Sequence, residues 1–140
     1  MKRNSFLRSV VVLGAVVSVP VTLFAKAKKL FRIDKGYFVP AGKDRFGETL
    51  KPFDGDAFFT KVSSKDTDGD LYVFESTRIE EGGPPLHYHY DQDEMWYVLE
   101  GEFKIQVGDN IYDAKPGDTV FGPRRVPHCF AKVGKAPGKI

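Results

Sequence analysis

Short apolar segments separated by turn-forming residues fill residues 57–133. Glycine, proline, aspartate or asparagine interrupts the chain every few residues, as at Asp68-Gly69 and Asp109-Asn110. Such spacing is typical of antiparallel strands joined by tight turns. The predicted strands are 57–62, 71–79, a strand at His87, 94–99, 102–107, 111–114, 119–121 and 127–133. The pattern predicts an all-β barrel or sandwich without a long helix.

The composition is compatible with one globular domain. The chain has 140 residues, which is room for a single sizeable core. Its 12 Phe, 14 Gly and 9 Pro favour strands and turns over a helical bundle. Cys129 is the only cysteine, which excludes an intramolecular disulfide and a cysteine-rich metal site.

The formal net charge of +2 is unevenly distributed. Four of the 21 basic residues lie in residues 1–27, which contain no acidic residue. The rest of the chain has 17 basic and 19 acidic residues. No basic patch interleaved with aromatic residues remains in the rest of the chain. We therefore expect no nucleic-acid partner.

Residues 1–27 have the three parts of an export signal: a basic start, an apolar middle from Val10 to Phe24, and a small-x-small site at 25–27. They predict a signal peptide cleaved after Ala27 and a bacterial protein exported to the periplasm or beyond. The alternative is that this segment stays uncleaved and anchors the protein in the membrane. It is the only membrane contact that the sequence predicts. The start resembles a twin-arginine signal in which Asn4 replaces the second arginine. An ordinary secretory signal is the other interpretation.

Three histidines and one glutamate form the strongest candidate site. His87 and His89 alternate with Tyr88, so on a strand both side chains point to the same face. Glu94 begins the next predicted strand, and His128 lies in the last one. These side chains form a complete first shell for one divalent transition metal: Fe, Mn, Ni, Co, Cu or Zn.

The same residues carry a resemblance to the cupin superfamily over residues 82–134. Its first motif is glycine, five residues, His-x-His, three or four residues, Glu, six residues and glycine. Here His87, His89, Glu94 and Gly101 match, while Gly82 lies one residue too close. Its second motif is glycine, five residues, Pro-x-Gly, two residues, His, three residues and Asn.

In the second motif Gly117, Pro123 and His128 are in register, while Arg125 replaces the glycine and Lys132 replaces the asparagine. The resemblance implies a double-stranded β-helix, the jelly-roll cupin barrel, over residues 57–140. Residues 28–56, broken by glycine and proline, are predicted to be edge strands and loops.

Cupin barrels continue with another strand after the second histidine motif, but this sequence stops at Ile140. We expect either that the chain is truncated after Ile140 or that a partner supplies the last strand. The second case is compatible with a homodimer.

Three apolar side chains are in phase with the predicted ligands. Trp96 and Val98 follow Glu94, and Phe130 follows His128, which predicts an apolar lining for a small-molecule pocket. Core packing is the alternative for Trp96 and Phe130. Arg124 and Arg125 could meet an anionic substrate at the mouth, with a solvated turn as the alternative.

Within the superfamily the segment 82–102 looks closest to cupins similar to quercetin 2,3-dioxygenase. That resemblance implies an oxygenase-like enzyme for a small oxygenated aromatic or enolisable substrate, in which Glu94 is both a metal ligand and a general base. Because the same ligand set occurs in cupins of many activities, the alternative is a non-enzymatic periplasmic module that binds a carbohydrate or phenolic ligand over a structural metal.

Overall fold

The computed structural model describes residues 32–51 and 55–140. The predicted signal peptide, residues 1–27, lies outside the described residues. In the described part of the chain no helix combines the length and the hydropathy of a membrane span.

The described residues form eight strands and one turn of 3-10 helix at Ser64–Asp66. The strands are β1 (Asp56–Val62), β2 (Val73–Arg78), β3 (Glu94–Tyr97), β4 (Glu102–Val107), β5 (Asn110–Ala114), β6 (Thr119–Gly122), β7 (His128–Val133) and β8 (Gly138–Lys139). The prediction of an all-β fold without a long helix is confirmed for this part of the chain.

All strand pairs are antiparallel, and they form a β-sandwich. One group has the order β1-β2-β8, and the bridge between Glu100 and Lys139 connects β8 to the chain that follows β3. Strand β3 pairs with β6, with Glu94 opposite Gly122. The other sheet has the order β5-β4-β7, in which Val107 lies opposite His128.

The core follows the two-residue period of the strands. In β4, Phe103 and Ile105 are buried while Glu102 and Lys104 are exposed, because successive side chains point to opposite faces. The buried apolar residues of the described chain form one cluster of Trp96, Val98, Phe103, Ile105, Ala114, Val120 and Phe130.

The segment of residues 82–89 has an isolated bridge at His87 instead of the regular strand that the sequence predicts there. Two pairs of backbone hydrogen bonds attach it to β7, one between Gly82 and Lys132 and the other between His87 and His128. Between these pairs Pro84 and Pro85 have no N–H to donate, which interrupts the ladder.

Gly83 brings this segment close to β7. A Cβ atom at this position would lie 1.6 Å from the carbonyl oxygen of Phe130, so only glycine fits there.

The ends of the described chain also pair with the sandwich. Residues 32–51 are loops with two isolated bridges, from Arg32 to Thr67 and from Leu50 to Phe58. Strand β8, which the sequence did not reveal, pairs with Thr77 and Arg78 of β2. The expected truncation after Ile140 stays a prediction.

Candidate metal centre

The four candidate ligands meet at one point. Ligand atoms of His87, His89, Glu94 and His128 all lie within 4.8 Å of one another. Strand β7 supplies His128, β3 supplies Glu94, and the segment 82–89 supplies the other two. The backbone bonds between His87 and His128, 3.0 Å and 2.7 Å long, hold the two ligand-bearing segments side by side.

The orientation of His87 is fixed from behind. Its Nδ1 lies 2.8 Å from the carbonyl oxygen of Pro85. Because a carbonyl oxygen only accepts, Nδ1 carries the proton and donates it, which leaves the lone pair of Nε2 available for a metal.

His128 is the buried ligand, with a side chain that is 0% exposed. Its ring makes an edge contact with Trp96 at 5.3 Å between ring centroids. Burial lowers the pKa of His128 and the nearby imidazoles of His87 and His89 lower it further, against an opposing effect of Glu94. These effects favour the neutral imidazole, which is the form that binds metal.

Glu94 completes the set from the open side. Its Oε2 lies 3.2 Å from Nε2 of His89 and 3.2 Å from Nε2 of His128. The side chain of His89 is 37% exposed and that of Glu94 is 24% exposed. The centre is thus closed at His128 and accessible to solvent at His89.

The donors fit a divalent transition metal. Three nitrogens and one carboxylate suit iron, manganese, nickel, cobalt, copper or zinc, and leave room for a further ligand. Nε2 of His128 is buried, and its 3.2 Å contact with Oε2 of Glu94 does not have the geometry of a hydrogen bond. Coordination would satisfy this nitrogen, since buried polar atoms are rarely left without a partner.

The loop between β6 and β7 connects the ligand-bearing segments. Arg124 donates three hydrogen bonds to Asp93, from its backbone N (2.9 Å), Nε (3.1 Å) and Nη2 (2.7 Å). The backbone N of Arg125 donates to the carbonyl of His89 at 2.7 Å. Sequence reasoning missed both Asp93 and Pro85. For the contact between Asp93 and Arg124, the only signal in the sequence was an acidic residue next to Glu94 and two basic residues after Pro123.

The three residues predicted to line a pocket are all buried. Trp96, Val98 and Phe130 are 4%, 1% and 6% exposed and belong to the core cluster. Trp96 also contacts His128, whereas Phe130 contacts Phe103. Core packing accounts for these positions, and a role in a substrate pocket stays a prediction.

The comparison with family models gives a match to the family described as "Cupin domain" over residues 74–140. The matched residues include the four clustered side chains. Residues 74–140 therefore belong to the cupin superfamily.

Solved structures are similar to this cupin in fold. A predicted oxalate decarboxylase from Thermotoga maritima has a TM-score of 0.57 at 18% identity, covering 66% of this chain and 84% of that one. The structure of Fe(II)-HppE with an alternative substrate has a TM-score of 0.52 at 24% identity, covering 66% of this chain and 52% of that one. At these identities the likeness shows the fold alone.

A curated relative is similar over a shorter stretch. An uncharacterized protein of Methanocaldococcus jannaschii is 36% identical over 55 residues, which are 39% of this chain and 44% of that protein. The match thus spans less than half of the length of this relative.

Proposed function

We propose that this cupin is an exported, metal-dependent enzyme that acts on a small oxygenated aromatic or enolisable substrate in an oxygenase-like reaction. One observation carries the proposal. Glu94 reaches two of the three histidines and is also partly open to solvent. A carboxylate in this position can contact both a metal and a small molecule.

His87, His89, Glu94 and His128 would hold the metal, which when bound would supply a Lewis acid for an oxygen atom of the substrate. Pro85 keeps His87 in the tautomer that ligation requires. The buried ring of His128 fixes the closed side of the centre. Glu94 would take the substrate proton, since its Oε2 lies at the open side of the cluster.

The proposal includes the organisation of the chain and its location. Residues 1–27 would direct export and be removed after Ala27, leaving residues 28–56 as edge segments and 57–140 as the barrel. The basic start, apolar middle and small-x-small site of the signal support this. Purification from a bacterial periplasm, followed by N-terminal sequencing, tests it. A mature chain that begins at Lys28 is expected.

Replacement of Glu94 tests the catalytic part of the proposal. In metal-loaded protein, Glu94→Gln should slow oxygen consumption with a flavonol at least about a hundredfold, because it removes the general base. The circular dichroism spectrum should be unchanged. Glu102→Gln, the same replacement at an exposed position of β4, is the matched control and should consume oxygen as the wild type does.

Absence of turnover across a panel of phenols and flavonols, with the metal fully loaded, would contradict the enzymatic proposal. A rise in melting temperature with such a ligand, without product, would instead support the binding-module alternative.

A further inference from the structure

Two consecutive arginines beside the metal centre have different surroundings. The guanidinium of Arg124 is occupied by Asp93, which accepts from its Nε and Nη2. The carboxylate of Asp93 thus balances the positive charge of Arg124. Since Asp93 adjoins Glu94, the pair also ties the loop before His128 to the strand that carries Glu94.

Arg125 has no such partner. No carboxylate oxygen of the described residues lies within 4.0 Å of its guanidinium, whereas Arg124 has one at 2.7 Å. The hydrogen bond found for its side chain runs from Nε to the carbonyl of Tyr90 at 3.3 Å. Its two terminal amino groups therefore remain available, on a residue that is exposed to solvent.

The backbone holds Arg125 at the open side of the centre. Its N–H donates to the carbonyl of His89, and its Nε donates to the next carbonyl along the chain. The guanidinium is thus hydrogen-bonded to the residue that follows His89, the ligand whose side chain is 37% exposed. A bound small molecule would enter from this side.

The conformation of Arg125 is one that few side chains adopt. Its φ of 65° lies in the left-handed region, which favours glycine. Residues held in such conformations are concentrated at functional sites. Here the residue in the left-handed conformation is the one whose backbone N–H bonds to the carbonyl of His89.

We propose that the guanidinium of Arg125 binds a carboxylate of the substrate, so that the substrate is an oxygenated aromatic acid. This inference rests on the proposed function. A guanidinium presents parallel N–H groups that match the two oxygens of a carboxylate. The metal centre would receive the ring oxygens, and Arg125 would hold the acid group at the rim.

A pair of probes that differ only in the carboxylate tests this directly. Binding of 3,4-dihydroxybenzoate and of catechol is measured on the cobalt-loaded protein through changes in its visible absorption. The wild type should bind the acid roughly tenfold more tightly than catechol, as expected for one charge-assisted pair. In Arg125→Gly this preference should disappear, while the affinity for catechol changes less than about twofold. Glycine suits the backbone at this position, so the variant should fold.

Lys104→Gln is the matched control, because it removes an exposed cation that pairs with Asp113 on β4 and β5. It should keep the preference for the acid. Equal affinities for the two probes in the wild type, or the same preference in Arg125→Gly, would overturn the role of Arg125 while leaving the proposed function intact. If neither probe binds to the cobalt-loaded protein, both this inference and the phenolic substrate of the proposed function are wrong.

Discussion

The two sides of the metal centre differ in what surrounds them. His128 lies on the regular strand β7, is fully buried and contacts Trp96 of the core. His89 lies in the irregular segment 82–89, and more than a third of its side chain is exposed. One side of the centre is therefore built by folding of the core, and the other side is open to a small molecule. This difference predicts that the two histidines contribute differently to stability although they would share one metal.

Replacement of the two histidines separates their contributions to stability. In the metal-free protein, His128→Ala should lower the free energy of unfolding by about 3 kcal/mol, because it leaves a cavity beside Trp96. His89→Ala should change it by less than about 0.5 kcal/mol, because its side chain is partly solvated. Urea denaturation of both variants measures this, and equal losses would contradict the distinction between the two sides.

His128→Leu provides the control for that comparison. It removes the ligand but keeps most of the side-chain volume, so the metal-free protein should recover most of the stability that His128→Ala loses. A variant as unstable as His128→Ala would show that packing volume is not the reason for the loss.

Much of this distinction could be predicted from the sequence. The two-residue period predicted strand β4 with its observed bounds and placed Phe130 and Trp96 in phase with the ligands. The absence of a regular strand at His87 was not predicted, because His-x-His alternates as a strand does although two prolines just before it interrupt the ladder.

Contacts between distant residues could not be predicted in this way. Arg124 and Asp93 are 31 positions apart in the sequence, and their hydrogen bond is seen only in the structure. The sequence alone does not show that Arg124, rather than Arg125, forms the ion pair with Asp93. Strand β8 was not predicted, because Gly138 and Lys139 show no apolar alternation and have low strand propensity.

A smaller effect is expected from Asp93 on the open side. Hydrogen bonds from Arg124 lower the pKa of Asp93 to about 2, from about 3.9 for an ordinary aspartate. A depressed pKa in the folded state means that the ion pair stabilises the protein above about pH 4 and that this contribution is lost as the pH falls towards 2. Asp93→Asn should therefore lower the melting temperature slightly near pH 7 and match the wild type near pH 2.

The effect should be small because both partners of this pair are solvated. The melting temperatures of wild type and variant are compared across this pH range. A difference between wild type and Asp93→Asn that stays constant with pH would contradict the assignment.

The metal content of the purified protein tests the central claim most directly. Elemental analysis of the natively produced wild type should give about one transition-metal ion per chain. His89→Ala, folded by circular dichroism, should retain less than about a tenth of that amount, because a ligand is lost without loss of the core. A redox-active metal would favour the oxygenase-like reaction over the binding module. Equal metal content in wild type and His89→Ala, or a wild type that takes up no metal on reconstitution, would contradict the account.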